Sequence, residues 1–414
     1  MNGSRLFNRG FTLLILGQAS SLFGNYTLRF ALSMYVLELT GSAAVFSTLL
    51  AVSMLPTILL SPLGGVLADR ANRRSIMVTL DALSALAVLA AGFALERTGG
   101  VTAVGVLLVA LSVLGAFESP TVQACVPQLL SGDNVLRGNA LVSQVQAVAS
   151  LVTPFLGSVV YASFGLAPVV LAAAACFFVT AVLECFIRLD SPRTERSGGV
   201  LSAIRGDLAG SWRFMRCEEP GVLSLLLLAA LVSMFLSGVM VVGFPFLVRT
   251  VLGLPAQFYG AAESAAGVAA ILGSLAVTIL AGRLLTERLW LAVTAAGACL
   301  VPSALAFALP IGTIAAYAVL TVSFCCTQAV CSAFSVCAMT TIQSRTPEHL
   351  TGKVMAFVYT ISLCAQPLGQ LLYGALFDAL ASAPEWLLLP SALAVIATGL
   401  ASKKLFAGLA QRGK

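Results

Sequence analysis

Charge is scarce in this sequence. Lys, Arg, Asp and Glu supply 10% of the 414 residues, against about a quarter in a soluble domain. Histidine is reduced to His349 alone, beside Glu348 in a polar loop, and aromatic residues to 8%. The first shortage excludes a water-soluble globule, because 59% of the side chains are hydrophobic and no such domain could hide them. The second removes the histidine-based catalytic and metal-ligating sets. No run of Lys and Arg is interleaved with aromatics, which argues against a nucleic-acid surface. Clustered His, Asp or Cys at catalytic spacing, the mark of a membrane enzyme, is missing too, and so is the repeated filter segment of a channel. Cysteine is not scarce, yet all ten except Cys217 lie in or beside apolar runs, where the thiol acts as a small hydrophobe. No cofactor is implied.

What the sequence has in abundance is long apolar runs. They fall at roughly 11–37, 43–68, 75–95, 102–126, 139–163, 168–188, 220–247, 258–281, 289–309, 313–341, 354–381 and 386–402. Each approaches or exceeds the ~20 residues a helix needs to cross a bilayer. The expected fold is therefore all-α and integral to the membrane, with twelve transmembrane helices. The first run is too long for a signal-peptide core and is expected to remain as a span. With the N-terminus in the cytoplasm, all but three of the 23 Lys and Arg fall on the cytoplasmic side. Arg97 and Arg249 fall outside and Arg29 lies within the first span. This asymmetry predicts that both termini are cytoplasmic.

The longest polar segment, 189–219, divides the spans into an N-terminal half (1–188) and a C-terminal half (220–414), six in each. Within it Val200, Leu201, Ile204, Leu208, Trp212 and Met215 recur at helical spacing among arginines, the pattern of an amphipathic helix on the membrane surface. The halves echo one another. Gly65, Asp69 and Arg70 after the second span have a degraded counterpart in Gly282, Glu287 and Arg288 after the eighth. Pro127 through Pro154 and Gly157 parallels Thr341 through Pro367 and Gly369. Two pseudo-symmetric six-helix halves with a site between them is a transporter plan.

The loop after the second span reads Gly64-Gly65-Val66-Leu67-Ala68-Asp69-Arg70-Ala71-Asn72-Arg73-Arg74. A plain turn has no need of an acid and three arginines behind a glycine pair. Gly65 is expected to let the second helix approach a neighbour closely. Asp69 is placed to face the positive N-terminal end of another helix, the eleventh span near Lys353 being the candidate. Arg70, Arg73 and Arg74 hold the loop in the cytoplasm.

Charges inside spans are the sharpest local signal, since each costs ~2.5–3.5 kcal/mol near the bilayer centre. Gln18, Ser21, Asn25, Arg29 and Ser33 share one helical face, which lines a cavity or forms a polar seam between helices. Glu263 lies at a depth similar to that of Arg29, and the two are expected to approach each other as an outer gate. Glu118 sits just before Ser119-Pro120 in the fourth span. Glu118 and Glu263 are the foremost candidates for carrying a proton. Asp81, near the cytoplasmic end of the third span, is expected to pair with the arginine-rich loop, with proton coupling as its other reading.

The pattern Gly-x-x-x-Asp-Arg-x-x-Arg-Arg, formed by Gly65, Asp69, Arg70, Arg73 and Arg74, resembles the signature loop of the major facilitator superfamily, with Asn72 where a glycine is usual. Leu39-Thr40-Gly41-Ser42, Leu55-Pro56, Ser119-Pro120, Val126-Pro127, Gly138-Asn139-Ala140 and Phe258-Tyr259-Gly260 resemble the branch of macrolide-efflux and enterobactin-exporter-like proteins. That resemblance implies a drug:proton antiporter of the inner membrane, exporting amphipathic small molecules by alternating access, with protons and lipid as its partners and the monomer as its form. It also implies a cavity lined by Gln18, Asn25, Gln144, Gln146, Thr327, Gln328, Tyr359, Ser362 and Gln366. Siderophores, lysolipids and metabolites are the alternative cargoes. Two departures stand out. Asn25 occupies a position where the branch often has an acid, and the fifth span keeps Ala149, Thr153, Pro154, Gly157 and Ser158 small with fewer glycines.

Overall fold

The computed structural model describes residues 6–98, 100–189, 212–279 and 288–411. Each apolar run becomes one helix, and the described residues form no strand. In lipid this follows from the backbone, whose N–H and C=O groups must find their partners within the segment. In chain order the helices are α1 (Arg9–Thr40), α2 (Ala43–Arg70), α3 (Arg73–Thr98), α4 (Val101–Leu129), α5 (Asp133–Phe164) and α6 (Leu166–Cys185). They continue with α7 (Pro220–Val251), α8 (Ala256–Ile279), α9 (Leu289–Ala308), α10 (Thr313–Arg345), α11 (Glu348–Ala379), α12 (Glu385–Ala401) and the short α13 (Lys403–Gln411). Among the described residues eleven helices, α2 to α12, are long and apolar enough to cross a membrane. The remaining long one, α1, has 32 residues and so measures about 48 Å, well over a hydrocarbon core of ~30 Å. Its polar stripe lowers its apolarity. Several helices outrun their apolar stretches, α5 starting at Asp133 and α10 ending at Arg345, because the hydrogen-bond ladder does not stop where lipid does.

Packing divides the chain into two compact units. The first comprises Met1–Thr40, Val52–Ser197 and Pro255–Ser264, and the second Gly41–Ala51, Gly198–Leu254 and Ala265–Lys414. The start of α2 thus belongs to the second unit and the start of α8 to the first.

In the first unit α1 packs on α5 and α6, and α3 on α4 and α6. Lipid tails are as apolar as leucine, so helices associate by close packing of small residues. Gly24 leaves only 2.8 Å between a would-be Cβ and Cys176 Cβ. The small set on α5 serves the same end: Gly157 lies against Thr27 and Phe30, and Gly260 of α8 against Ser158 and the Pro154 carbonyl. Gly165, at φ +78°, turns α5 straight into α6, a conformation that side chains disfavour.

In the second unit α9 packs between α10 and α12, and α7 on α11. Gly238 lies against Tyr373, Gly243 against the Phe377 ring and Gly369 against the Met234 backbone. The helix α7 widens into π-type turns at Gly238–Gly243 and Leu247–Val251, on either side of Pro245, which has no N–H to give. At the end of α11, Asp378 reaches the first turn of α2. Its carboxylate accepts from Ser42 Oγ at 2.5 Å, Ala43 N at 2.6 Å and Ala44 N at 3.1 Å. One turn earlier Gly374 lies against Ser47 and the Ala43 carbonyl. Those amides begin α2 without intrahelical partners, and a carboxylate there also complements the helix dipole.

Most of the 189–219 linker lies outside the described residues, as do Gly282 and Glu287. At the linker's end Trp212 meets Phe357, ring centroids 6.2 Å apart, and Met215 is fully buried. Elsewhere large apolar side chains such as Leu59, Leu86 and Phe178 are exposed, as a lipid-facing surface requires.

Candidate functional site

Three carboxyls converge inside the first unit: Asp81 of α3, Glu118 of α4 and Glu184 of α6. Two neutral side chains of α1 reach them. Ser21 Oγ lies 3.2 Å from Asp81 Oδ1 and 3.4 Å from Glu118 Oε1, and Gln18 Nε2 lies 3.5 Å from the same Glu118 oxygen. Asp81 and Glu184 are wholly buried and Glu118 is half-buried. Glu184 stands against Asp81, carboxyl to carboxyl. Both Glu184 oxygens and Asp81 Oδ2 meet no N–H or O–H donor. The site exists because α1 and α6 approach closely: Gly17 leaves space beside Thr180 and the Glu184 Cγ, and Thr180 Oγ1 donates to the Gly17 carbonyl at 3.0 Å. Among the described residues no group of His, Cys, Asp and Glu is arranged to hold a metal ion.

Asp81 was expected to pair with the arginine-rich loop. It turns instead to Ser21 and the carboxyls. Arg73 donates to the carbonyls of Ala68 at 2.7 Å and Ala124 at 2.8 Å. Asp81 sits eight residues along α3, about 12 Å further in at 1.5 Å per residue, beyond the reach of that side chain so engaged.

The polar stripe of α1 forms a seam between helices. Besides the contacts of Gln18 and Ser21, Arg29 Nε donates to Asn25 Oδ1 at 2.7 Å and Arg29 Nη2 to Ser112 Oγ of α4 at 3.1 Å. The expected pairing of Arg29 with Glu263 is not formed. Glu263 interacts with Tyr259, one turn away, and its Oε2 is buried without a donor. Tyr259 in turn stacks on Phe30, centroids 5.4 Å apart.

A second feature lies within the second unit. A cavity of about 460 Å³ opens among α7, α9, α10 and α11, and Gln328, Tyr359, Ser362 and Gln366 line it. Phe334, Met240, Met339 and Cys331 supply apolar wall between these polar groups. Four of the anticipated cavity residues are thus brought together. Thr327 is not among them: it is wholly buried, with its hydroxyl engaged by the Ser323 carbonyl at 2.8 Å. Gln144 and Gln146 are exposed on α5. Two residues apart on a helix, they point about 200° apart, so no single wall takes both.

The model of the Major Facilitator Superfamily matches residues 14–370. The chain belongs to this superfamily. Within it, the chain is 27% identical over 383 residues to "Multidrug efflux pump Tap" of Mycobacterium tuberculosis, a match covering 89% of this chain and 87% of that one. It is 30% identical over 148 residues to "Macrolide efflux protein A" of Streptococcus pyogenes, where the match spans 35% of this chain and only 36% of the relative. The fold is that of the nucleoside transporter NupG (TM-score 0.70, 12% identity, 97% and 99% of the two chains). It is equally that of a bacterial homologue of ferroportin (TM-score 0.69, 19% identity, 97% and 98%). This is a multi-pass membrane transporter of the major facilitator kind.

The superfamily's signature loop holds a correction. Gly64, not Gly65, makes the close approach. A Cβ on Gly64 would strike the Ala116 carbonyl oxygen and come within 3.0 Å of Phe117 Cα, whereas one on Gly65 meets nothing within 4 Å among the described residues. One residue is a turn of about 100° around a helix, and only Gly64 faces α4. The side chains of Asp69 and Arg70 lie outside the described residues. Two members of the carboxyl site, Gln18 and Glu118, were expected to act separately, and a third, Glu184, was missed. Its signal was faint: a carboxyl in the last turn of an apolar run reads as one emerging at the membrane surface.

Proposed function

We propose that this transporter is a proton-coupled exporter of amphipathic organic compounds of the drug or macrolide kind. It works by alternating access in the cytoplasmic membrane of a bacterium, as a monomer with both termini in the cytoplasm. The observation that carries the substrate class is the cavity of Gln328, Tyr359, Ser362 and Gln366. Spaced amides and hydroxyls on an apolar wall suit a ligand with a large apolar body and few polar groups, and offer no charge to hold a sugar phosphate or a multiply charged metabolite. The names of the efflux relatives support export. The buried carboxyls, in a chain whose first span has Asn25 in place of an acid, support protons as the driving ion.

The test is accumulation of erythromycin and ethidium in a bacterium stripped of its own pumps. Expression of the chain lowers accumulation, and a protonophore restores it. Efflux that persists under the protonophore refutes proton coupling. Accumulation unaffected by expression refutes this substrate class and passes the question to siderophores, lysolipids or metabolites.

A further inference from the structure

The carboxyl site contains a hydrogen-counting problem. Ser21 carries a single hydroxyl hydrogen, yet its oxygen lies within 3.2–3.4 Å of oxygens on both Asp81 and Glu118. Both contacts are satisfied only when the hydroxyl donates to one carboxyl and the other, protonated, donates to it. Glu184 poses the problem independently. It is wholly buried on α6, neither of its oxygens meets a donor, and it faces Asp81. Two bare charges so placed would cost several kcal/mol per ion. A proton on Glu184, held toward Asp81, removes one of the two charges and supplies the missing hydrogen bond. The groups facing Glu184 are Asp81 from α3, and Glu118 and Cys125 from α4, with Gly17 of α1 against its stem. Arg73 lies near Cys125 and donates to backbone carbonyls.

We propose that Glu184, Asp81, Ser21 and Glu118 form a proton relay, in which Glu184 and Asp81 at the closed end each hold a proton when loaded and share one when discharged, and half-buried Glu118 exchanges with water. When Glu118 has released its proton to water, the Ser21 O–H breaks and that hydrogen joins Glu118. The Asp81 O–H breaks in the same event and its hydrogen re-forms the Ser21 hydroxyl. The net change is one proton out and one negative charge left on the Asp81–Glu184 pair, with no electron transferred. This assignment rests on the proton-coupled reading above and names the groups that would serve it.

The full-length protein in lipid nanodiscs is examined by infrared difference spectroscopy after a pH step. The protonated-carboxyl C=O band is expected in the wild type, shifting on hydrogen–deuterium exchange. Glu184→Gln and Asp81→Asn each diminish it, while Ser21→Ala keeps the band but delays its response. Thr180→Val, which alters the same helix contact without touching a carboxyl, leaves band and rate unchanged. An unaltered band in Glu184→Gln and Asp81→Asn overturns the relay. If those two variants do not fold, Ser21→Ala decides, and a response as fast as the wild type's overturns it. Erythromycin transport into liposomes under an imposed proton gradient separates the two levels. A wild type indifferent to the gradient sinks the proton-coupled reading, whatever the band shows. A gradient-driven wild type matched by all three relay variants sinks the relay alone.

Discussion

Replacing Asp378 by alanine removes three hydrogen bonds at one stroke, those from Ser42 Oγ, Ala43 N and Ala44 N. Hydrogen bonds to a charged group contribute about 1.5–3 kcal/mol apiece in isolation, but three to one carboxylate do not add. Loss of a capping side chain costs about 0.5–2 kcal/mol, and the carboxylate's interaction with the helix dipole brings up to about 2 more in a partly buried setting. Asp378 is half-buried, so water takes over part of the lost bonding. The expected cost is about 2–3 kcal/mol, built from the capping and dipole contributions together. Asp378→Asn, which keeps one acceptor oxygen and loses the charge, costs about half of that. The direct assay is hydrogen exchange at the first turn of α2 in the purified protein, because local opening of that turn exposes its amides. At 1.4 kcal/mol per factor of ten, amides of residues 43–46 exchange roughly 30-fold to 140-fold faster in Asp378→Ala. Ser42→Ala makes a double-mutant cycle with it, and the pair costs less than the sum of the single changes. Exchange at residues 43–46 that is unchanged in Asp378→Ala refutes the cap, whatever happens to the protein elsewhere.

Three further outcomes follow from the geometry. Gly64→Ala drives a methyl group into the α4 backbone and lowers stability by about 1–3 kcal/mol, whereas Gly65→Ala leaves the melting temperature of the purified protein unchanged. Exchanging charges between Arg29 and Glu263 does not restore erythromycin efflux lost in the single variants, because Arg29 is held by Asn25 and Ser112; rescue by the exchanged pair would show that the two meet during transport. Ser362→Phe places a ring in the cavity of about 460 Å³ and weakens binding of erythromycin more than of the smaller ethidium, measured by fluorescence quenching or calorimetry, and equal loss for both counts against the cavity as a binding site.

The twelve spans were legible because lipid imposes a length and a composition that little else in a sequence imitates. The cavity residues Gln328, Tyr359, Ser362 and Gln366 were legible for a related reason: an amide or hydroxyl deep in an apolar run has few uses other than bonding to a neighbour or facing a ligand. What escaped depends on rotation and on third dimensions. Gly64 and Gly65 are identical residues side by side, and only the azimuth of α2 tells which one touches α4. Glu184 joins Asp81 and Glu118 across three helices, and no spacing along the chain foreshadows that meeting. Arg29 and Glu263 matched in depth and charge, but depth leaves the direction around each helix undetermined. Asp378 carries no signal along the chain, since its meeting with the start of α2 joins residues more than 330 positions apart.

The openness around Gly65 has a practical consequence for watching this loop at work. A fluorophore or spin label attached there, through a substituted cysteine, has room for its linker, while the adjacent position would report on a damaged helix pair. Such labelling first requires removal of the native thiols that lie at the protein surface, Cys185, Cys217, Cys326 and Cys364.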